Sequence, residues 1–506
     1  MPLTPGGGCA TARRRPALFL KQIDDMMTQS FARLHRRLAL ALLLAGMSAC
    51  APPPTGIVPP TVSRSDPFLD TVQTRTFGFF WQLANPQNGL VPDRAPTPSF
   101  SSVAAVGFGL AAYPVGVERG WITRTEARNR VLTTLRFLWN APQGPQTSGI
   151  AGHMGFFYHF LDMQTGHRFQ QVELSTIDTA LLIAGALVCR EYFDGADAGD
   201  VEVRALTDSL YRRIDWRWAS PRPPLVSMGW YPERGFHELD WKGYNEAMLL
   251  YILSLGSPTH PSDSAAWPAW TSTYEWTTFQ GQPHLGFPPL FGHQYSHIFI
   301  DFNRIQDAYM RGRGIDYFEN SRRATYSQRS YAIANPGQWR MYSDSIWGLT
   351  ASDGPIDTTI VYEGRTRKFQ TYAARGAGTG YILDDGTLVP TAAGGSVPFA
   401  PEITVPALKA MRRTFGDAIF STYGFLDAFN PTLHLTTLPL RHGRIVPGVG
   451  WVDGDYLGID QGPILLMIEN WRSDLIWRLM RRSPYIIRGL RRAGFTGGWL
   501  NSAPAP

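Results

Sequence analysis

The run YNEAMLLYILSLGSPTHP, residues 244–261, constrains the fold more than any other stretch. Its spacing predicts a helix over 241–255. Ala247, Leu250, Tyr251 and Ser254 share one face, and Met248, Leu249, Ile252 and Leu255 carry the apolar surface almost all the way round. Gly256 and Pro258 end it. A helix apolar on every side needs other elements on every side, so it belongs in an interior. The predicted first turn nevertheless carries Tyr244, Asn245 and Glu246. A carboxylate leaving water must be paired, used or protonated. Two readings stand at this point: Glu246 complements the positive end of the helix, or it is a general acid at the end of an inner helix that lines a pocket.

The rest of the chain alternates between helices of that inner kind and helices with one charged face. FLDTVQTRTFGFFWQLA opens the series, and SSVAAVGFGLAAYPVGVERG is small and apolar, suited to close helix packing. ITRTEARNRVLTTLRFLWNA is amphipathic, ELSTIDTALLIAGALVCREYF is apolar, and DVEVRALTDSLYRRIDWRWA is again charged on one side. Further helices are expected near SAAWPAWTSTYEW and in SHIFIDFNRIQDAYM, GIDYFENSRRATYSQRSYAI, PEITVPALKAMRRTF and QGPILLMIENWRSDLIWRLM. Inner and outer helices in pairs are what a toroid of concentric helical hairpins requires, and a multi-domain helical protein has the same helix count. Residues 352–400 are rich in Gly, Asp and Thr, and read as a long excursion with short strands over the pocket. Sixteen Trp, 20 Tyr and 28 Phe are much flat apolar surface, most of it core, and carbohydrate clefts also use such faces as stacking platforms.

FARLHRRLALALLLAGMSAC has a basic start, an apolar run too short to span a bilayer and small residues before Cys50. It resembles a bacterial lipoprotein signal with Met47-Ser48-Ala49-Cys50 as the lipobox, Met47 departing from the usual Leu. The resemblance implies a lipid on Cys50 and, with Ala51 next, an outer-membrane location in a Gram-negative cell. A signal cleaved without lipidation is the alternative. The expected organisation is therefore a leader over 1–49 (its start more natural at Met26 or Met27), a Pro-rich tether over 50–66, one domain over 67–495 and a tail over 496–506. The leader also distorts the charge. Residues 1–49 hold seven of the 47 Lys/Arg and two of the 41 Asp/Glu, leaving 40 against 39. The net +6 thus gives no support to nucleic-acid binding. With Cys9 and Cys50 in the leader and anchor, Cys189 has no partner for an intrachain disulfide.

Four places combine acids, amides and aromatics beyond the needs of packing. GHMGFFYHFLDMQTGHR holds His153, His159 and Asp162 at a spacing that is not distinctive for a metal. ELSTIDTA holds Glu173, read as a cap, and Asp178, which sits in an apolar run and needs an inward role. Trp241 and Tyr244-Asn245-Glu246 form the third. GWVDGDYLGIDQGPILLMIENWR holds Asp453, Asp455, Asp460 and Glu469, with N-capping as the alternative for Asp460 before Gly462 and Pro463. No sequence pattern calls for a metal or an organic cofactor.

The segments GHMGFFYHFLD, ELSTIDTALLIAGAL, YNEAMLLYILSLGSPTHP, GHQYSHIFIDFNRIQDAYMR, GIDYFENSRRAT, WGLTASDGP, TAAGGSVPFAPE and YLGIDQGPILLMIENWR, in this order, resemble the glucoamylase-like domain of glycoside hydrolase family 144, the bacterial β-1,2-glucanases. The likeness runs from about residue 67 to 495; leader and tether lie outside it. It implies an all-α (α/α)6 barrel with long loops and a few short strands over the active-site face, and inverting hydrolysis of β-1,2-glucan without a cofactor. By the same likeness Glu246 is the general acid and Asp460 the base, with Asp178 as rival. Asp301, Trp347, Asp353 and Arg375 stand in segments like the family's sugar-contacting loops, joined here by Trp241, Tyr244, Asn245 and His153. Inverting hydrolysis needs a protonated acid on the leaving oxygen and a carboxylate activating water across the ring, roughly 6.5–9.5 Å apart.

Endo action on β-1,2-glucan is the expected activity. An exo enzyme releasing sophorose, a lyase on a similar toroid and a non-catalytic glycan-binding lipoprotein are the alternatives. The basic excess that remains sits in WRLMRRSPYIIRGLRRAGF at the C-terminus, so the part between leader and tail is acidic, which speaks against an anionic polymer and so against the lyase. Neither nucleic acid nor an obligate protein partner is expected, and the membrane is met only through the anchor. Cys50→Ser is predicted to move the protein from the membrane pellet to the soluble fraction; a variant still pelleting with membranes would remove the lipid anchor.

Overall fold

The structure is a computed structural model, described over residues 62–504. The leader, Cys50 and most of the tether fall outside those residues. The described part of the chain is mostly helical, with short strands at the helix entrances. Val103–Glu118, Thr176–Tyr192, Met248–Gly256 and Gly458–Ser473 are buried around nearly their whole circumference. Arg124–Asn140 and Ala198–Arg212 bury one face each, Ala127, Val131, Leu135 and Leu138 on the first and Val203, Thr207, Leu210 and Tyr211 on the second. The Thr123–Glu126 capping box starts the first of these.

Packing between the inner helices runs in chain order and returns to its start. Val103–Glu118 packs on Thr176–Tyr192, which packs on Met248–Gly256, and that on Phe291–Phe299. Phe291–Phe299 meets Gly458–Ser473, which also packs on Pro390–Gly394 and on Val103–Glu118. Charged-faced helices lie outside: Pro67–Gln82 covers Gly458–Ser473, and Pro484–Arg492 covers Met248–Gly256. Three inner helices follow directly on two-residue strands. Ser101–Ser102 pairs antiparallel with Phe160–Leu161, Leu174–Ser175 with Gly229–Tyr231, and Tyr456–Leu457 with Arg94–Ala95. These ladders tie the N-terminal ends of the inner helices into one layer, where Asp178 and Asp460 stand.

The helix predicted from Trp241 begins only at Met248. Gly243 takes a left-handed conformation (φ 73°) and the Asn245 side-chain oxygen accepts from Ala247 N at 3.0 Å, which closes a local turn instead of a helical one. Glu246 therefore precedes the helix. The predicted SHIFIDFNRIQDAYM helix divides into Phe291–Phe299 and Ala308–Arg313, since Asp301 turns the chain by accepting from Asn303 N at 3.0 Å. The last predicted helix breaks at Asp474, which is left-handed (φ 62°). Within 352–400 the expected strands are present, Thr358–Tyr362 pairing with Arg365–Phe369. The later part of that excursion is not a cover, however: Pro390–Gly394 is buried against Gly458–Ser473. Residues expected as a tail fold back in part, Thr496 N donating to Gln306 O at 2.9 Å. Cys189 is a free, buried thiol.

The tightest crossing is between Val103–Glu118 and Thr176–Tyr192. A Cβ on Gly107 would lie 2.4 Å from Leu181 O, and one on Gly185 would lie 1.9 Å from Gly107 O. Backbone touches backbone there, so no side chain can yield. Gly185→Ala is predicted to destabilise the fold by about 1–3 kcal/mol through overpacking, read as a lower Tm. Gly312→Ala, with open space at its Cβ, is the control and should be neutral or slightly stabilising. Equal melting of the two variants would contradict the close crossing.

Candidate active site

Glu246 is held at the turn before Met248–Gly256 by its own backbone, its carbonyl accepting from Ser296 Oγ at 2.9 Å. The carboxyl is buried, 3% exposed, and its Oε2 has no hydrogen-bond partner. Burial pushes it up to about 7, the charge of Asp178 adding to the effect. The Met248 helix has no side-chain cap, so Glu246 does not act as one.

Asp178 sits in the first turn of Thr176–Tyr192, whose cap is Ser175 and not Glu173. The Ser175 hydroxyl donates to Asp178 Oδ2 at 2.5 Å. Glu173 instead meets His159 Nδ1 at 2.7 Å, while His159 Nε2 lies 3.7 Å from Asp178 Oδ2. Burial opposes the imidazolium, but the charges of Asp178 and Glu173 outweigh it and raise His159 to about 9. Burial likewise raises Asp178, against the pull of His159 and Ser175. Glu246, Asp178, His159, Asp93, Tyr295 and Tyr372 line one cavity of about 80 Å³. Tyr295 donates to Ile459 O at 3.2 Å, which joins the Phe291 and Gly458 helices across it.

Asp460, assigned the base by resemblance, is not among the residues lining that cavity; its neighbours Leu457 and Ile459 are. The Gly458 helix has no side-chain cap, so Asp460 does not cap it either. It is buried against Asp427. Burial lifts it to about 7, the Asp427 side chain pulls down, and the charges of Asp353 and Asp453 push up. Arg94 binds this group together, Nη1 lying 2.7 Å from Asp353 and 3.5 Å from Asp455, and Nε lying 3.1 Å from Asp93.

The other predicted contact residues divide. Tyr244 lines a larger neighbouring cavity of about 410 Å³, with Lys242, Tyr274, His284 and Tyr381. Asn245 is engaged in the turn. Trp241 lines neither cavity: it is buried and donates from Nε1 to Thr176 Oγ1 at 3.0 Å. Asp301 pairs with Arg481 at 2.5 Å, and Arg375 with Asp385 at 2.8 Å, both as parts of the frame. Trp347 is fully buried, and His153 packs on Trp218 and Trp230. His159, Tyr295 and Tyr372 have cavity positions that sequence spacing did not reveal; the pairing of His159 with two acids brings together the link between Phe156–Phe157 and Phe160–Leu161, the residue before Leu174–Ser175, and a helix.

Residues 238–484 match the family model Glycoamylase, described as "Putative glucoamylase". An exo β-1,2-glucooligosaccharide sophorohydrolase of Parabacteroides distasonis is 28% identical over 460 residues, covering 84% of this chain and 57% of that protein. The chain thus spans less than two thirds of that relative's length. A Bacteroides uniformis crystal structure described in the same words as the family model superposes with a TM-score of 0.73 at 29% identity, over 87% of this chain and 100% of that one. The endo-β-1,2-glucanase of Chitinophaga pinensis, solved with sophorotriose and glucose, superposes with a TM-score of 0.72 at 27% identity, over 87% and 100%.

His159 is predicted to stay charged in the fold to about pH 9 against 6.5 for a free imidazole. Its raised value stabilises the fold fully below pH 6.5, and that contribution is lost as pH rises through about 9. NMR titration of histidine-labelled protein should show one ring with this high midpoint, lowered in Glu173→Gln. A midpoint at or below 6.5 for His159 would break the Glu173–His159–Asp178 arrangement.

Proposed function

We propose that this chain, glucoamylase-like over residues 238–484, hydrolyses β-1,2-linked glucan by an inverting acid/base mechanism, its inner and outer helices forming an (α/α)6 barrel around the reaction site. The observation that carries the reading is Glu246: a buried carboxyl with an unpartnered oxygen, lifted to about 7, in the same cavity as Asp178. A carboxyl in that state holds a proton at neutral pH and can deliver it to a leaving glycosidic oxygen. Asp178, drawn toward its ionised form by the His159 imidazolium and the Ser175 hydroxyl, is the matching carboxylate to activate water. Asp460 is the second reading for the base. It is paired with the Asp427 carboxyl, and its charge acts on Tyr295 in the cavity wall.

The small cavity holds the carboxyls, and the larger one at Tyr244 offers aromatic and polar surface for the sugar chain. Endo action is the activity proposed, in line with the Chitinophaga pinensis endo-glucanase, and release of sophorose is the alternative, in line with the sophorohydrolase. A lipid on Cys50 would hold the enzyme at the outer membrane of a Gram-negative cell; among the described residues no helix is long and apolar enough to cross a membrane.

Purified protein is expected to depolymerise β-1,2-glucan to a ladder of oligosaccharides and to leave β-1,3, β-1,4 and α-1,4 glucans intact. Sophorose as sole early product would make it an exo enzyme, and binding without turnover would make it a glycan-binding protein. Glu246→Gln should lower kcat by about 10²–10⁴-fold with the fold unchanged by circular dichroism. The wild-type kcat/KM should fall above pH about 7 as Glu246 loses its proton. Asp178→Asn and Asp460→Asn, compared for loss of turnover, identify the base; wild-type turnover in Glu246→Gln would remove the proposed acid.

A further inference from the structure

Behind the cavity, Asp353, Asp427 and Asp453 each bring one carboxylate oxygen within 4.8 Å of the others. Their side chains are 0%, 1% and 1% exposed. They come from three separate segments: the turn after Ala351–Ser352, the link between Gly424–Phe425 and Phe429–Asn430, and the turn after Gly450–Val452. One oxygen of each is held by the protein. Asp427 Oδ2 accepts from Asp353 N at 2.8 Å, Asp453 Oδ1 accepts from Gly454 N at 2.7 Å, and Asp353 Oδ2 accepts from Arg94 Nη1 at 2.7 Å. Asp453 Oδ2 has no hydrogen-bond partner, and the Asp427 carboxyl meets that of Asp460 beside it.

This much buried negative charge needs compensation. Arg94 is divided among Asp93, Asp353 and Asp455, and Arg375 is committed to Asp385 through two bonds of 2.8 Å. Either protons are shared among the acids or a cation sits between them. Two features favour the cation. Backbone N–H groups and Arg94 orient the carboxylates from behind, as outer partners orient metal ligands. Three carboxylates from separate segments, with oxygens all within 4.8 Å of one another, form a cage made by the protein itself, which suits calcium better than magnesium, an ion held by one or two carboxylates and several waters. The donors are all oxygen, which selects a hard ion over zinc or copper.

We propose that Asp353, Asp427 and Asp453 bind a divalent cation of the calcium class, with Asp460 at its edge. The ion would clamp the start of the 352–400 excursion to the segment that leads into Gly458–Ser473, and so fix the wall behind the reaction cavity. Its role is structural, and no step of the hydrolysis passes through it.

The test uses the full chain, stripped with chelator and titrated with CaCl2 by calorimetry, with elemental analysis after re-equilibration and thermal unfolding with and without the ion. One calcium per chain and a higher Tm are expected. Asp453→Asn and Asp427→Asn should each weaken calcium at least tenfold and lose the Tm response. Removing one repelled carboxylate should also leave the chelator-stripped variants melting no lower than stripped wild type. Wild type that takes up no calcium and whose Tm the ion does not move would overturn the site, and so would wild-type affinity in both variants. Uptake of magnesium in preference to calcium would overturn the assignment of the ion. The readout is ion binding, so its failure leaves the hydrolase reading standing, and loss of that reading leaves the ion site standing.

Discussion

Carboxyls that have left water set the terms for the rest of this structure. Each must find a counter-charge, a hydrogen-bond donor or a proton. Three solutions occur side by side. Asp178 faces an imidazolium that Glu173 holds from behind at 2.7 Å. Asp353 takes a guanidinium at 2.7 Å. Glu246 has neither, and burial lifts it to about 7. The distribution matters chemically, because two carboxyls in one cavity, one with a cation beside it and one without, are what acid/base cleavage of an acetal starts from. The difference arises from surroundings: His159 stands beside Asp178, and Oε2 of Glu246 has no partner.

The helices make those surroundings possible. Inner helices apolar all round leave their polar residues nowhere to go except the ends, and the short strands gather the N-terminal ends in one layer. Ser102 and Ser175 cap two of those ends with their own side chains, so the acids nearby are not consumed in capping. The crossing at Gly107 and Gly185 brings two of the inner helices into backbone contact, which sets how close the cavity walls stand.

The helices and their inner or outer character were legible because burial leaves a local trace: Met248–Gly256 is buried at every position and apolar at nearly all of them, and Ala198–Arg212 is buried on one face. Glu246 was legible for a related reason, as an acid abutting the most apolar stretch. Its exact setting was not, since the turn made by Gly243 and Asn245 interrupts a pattern that periodicity alone extends to Trp241. Asp460 against Asp178 shows the opposite limit. Both open apolar helices after small residues, and which one faces the cavity depends on Ile459 and Leu457, whose orientation follows from the strand pairing of Tyr456–Leu457 with Arg94–Ala95. Non-local pairings such as Arg94 with Asp353 leave no trace in spacing at all.

The two acid groups are not independent. Asp93 lines the cavity and also holds Arg94 Nε at 3.1 Å, while Arg94 Nη1 holds Asp353 at 2.7 Å. Two contacts therefore connect the cavity wall with the buried cluster. If the cluster is neutralised by protons, its charge follows pH, Arg94 is drawn to whichever acid is ionised, and the wall at Asp93 shifts with it. A bound divalent ion removes that dependence, because the ligating carboxylates then stay ionised through the range in which Glu246 must hold and release its proton. Preorganisation of the cavity would then rest on charges that do not titrate during the reaction, and Glu246 would be free to change its state alone.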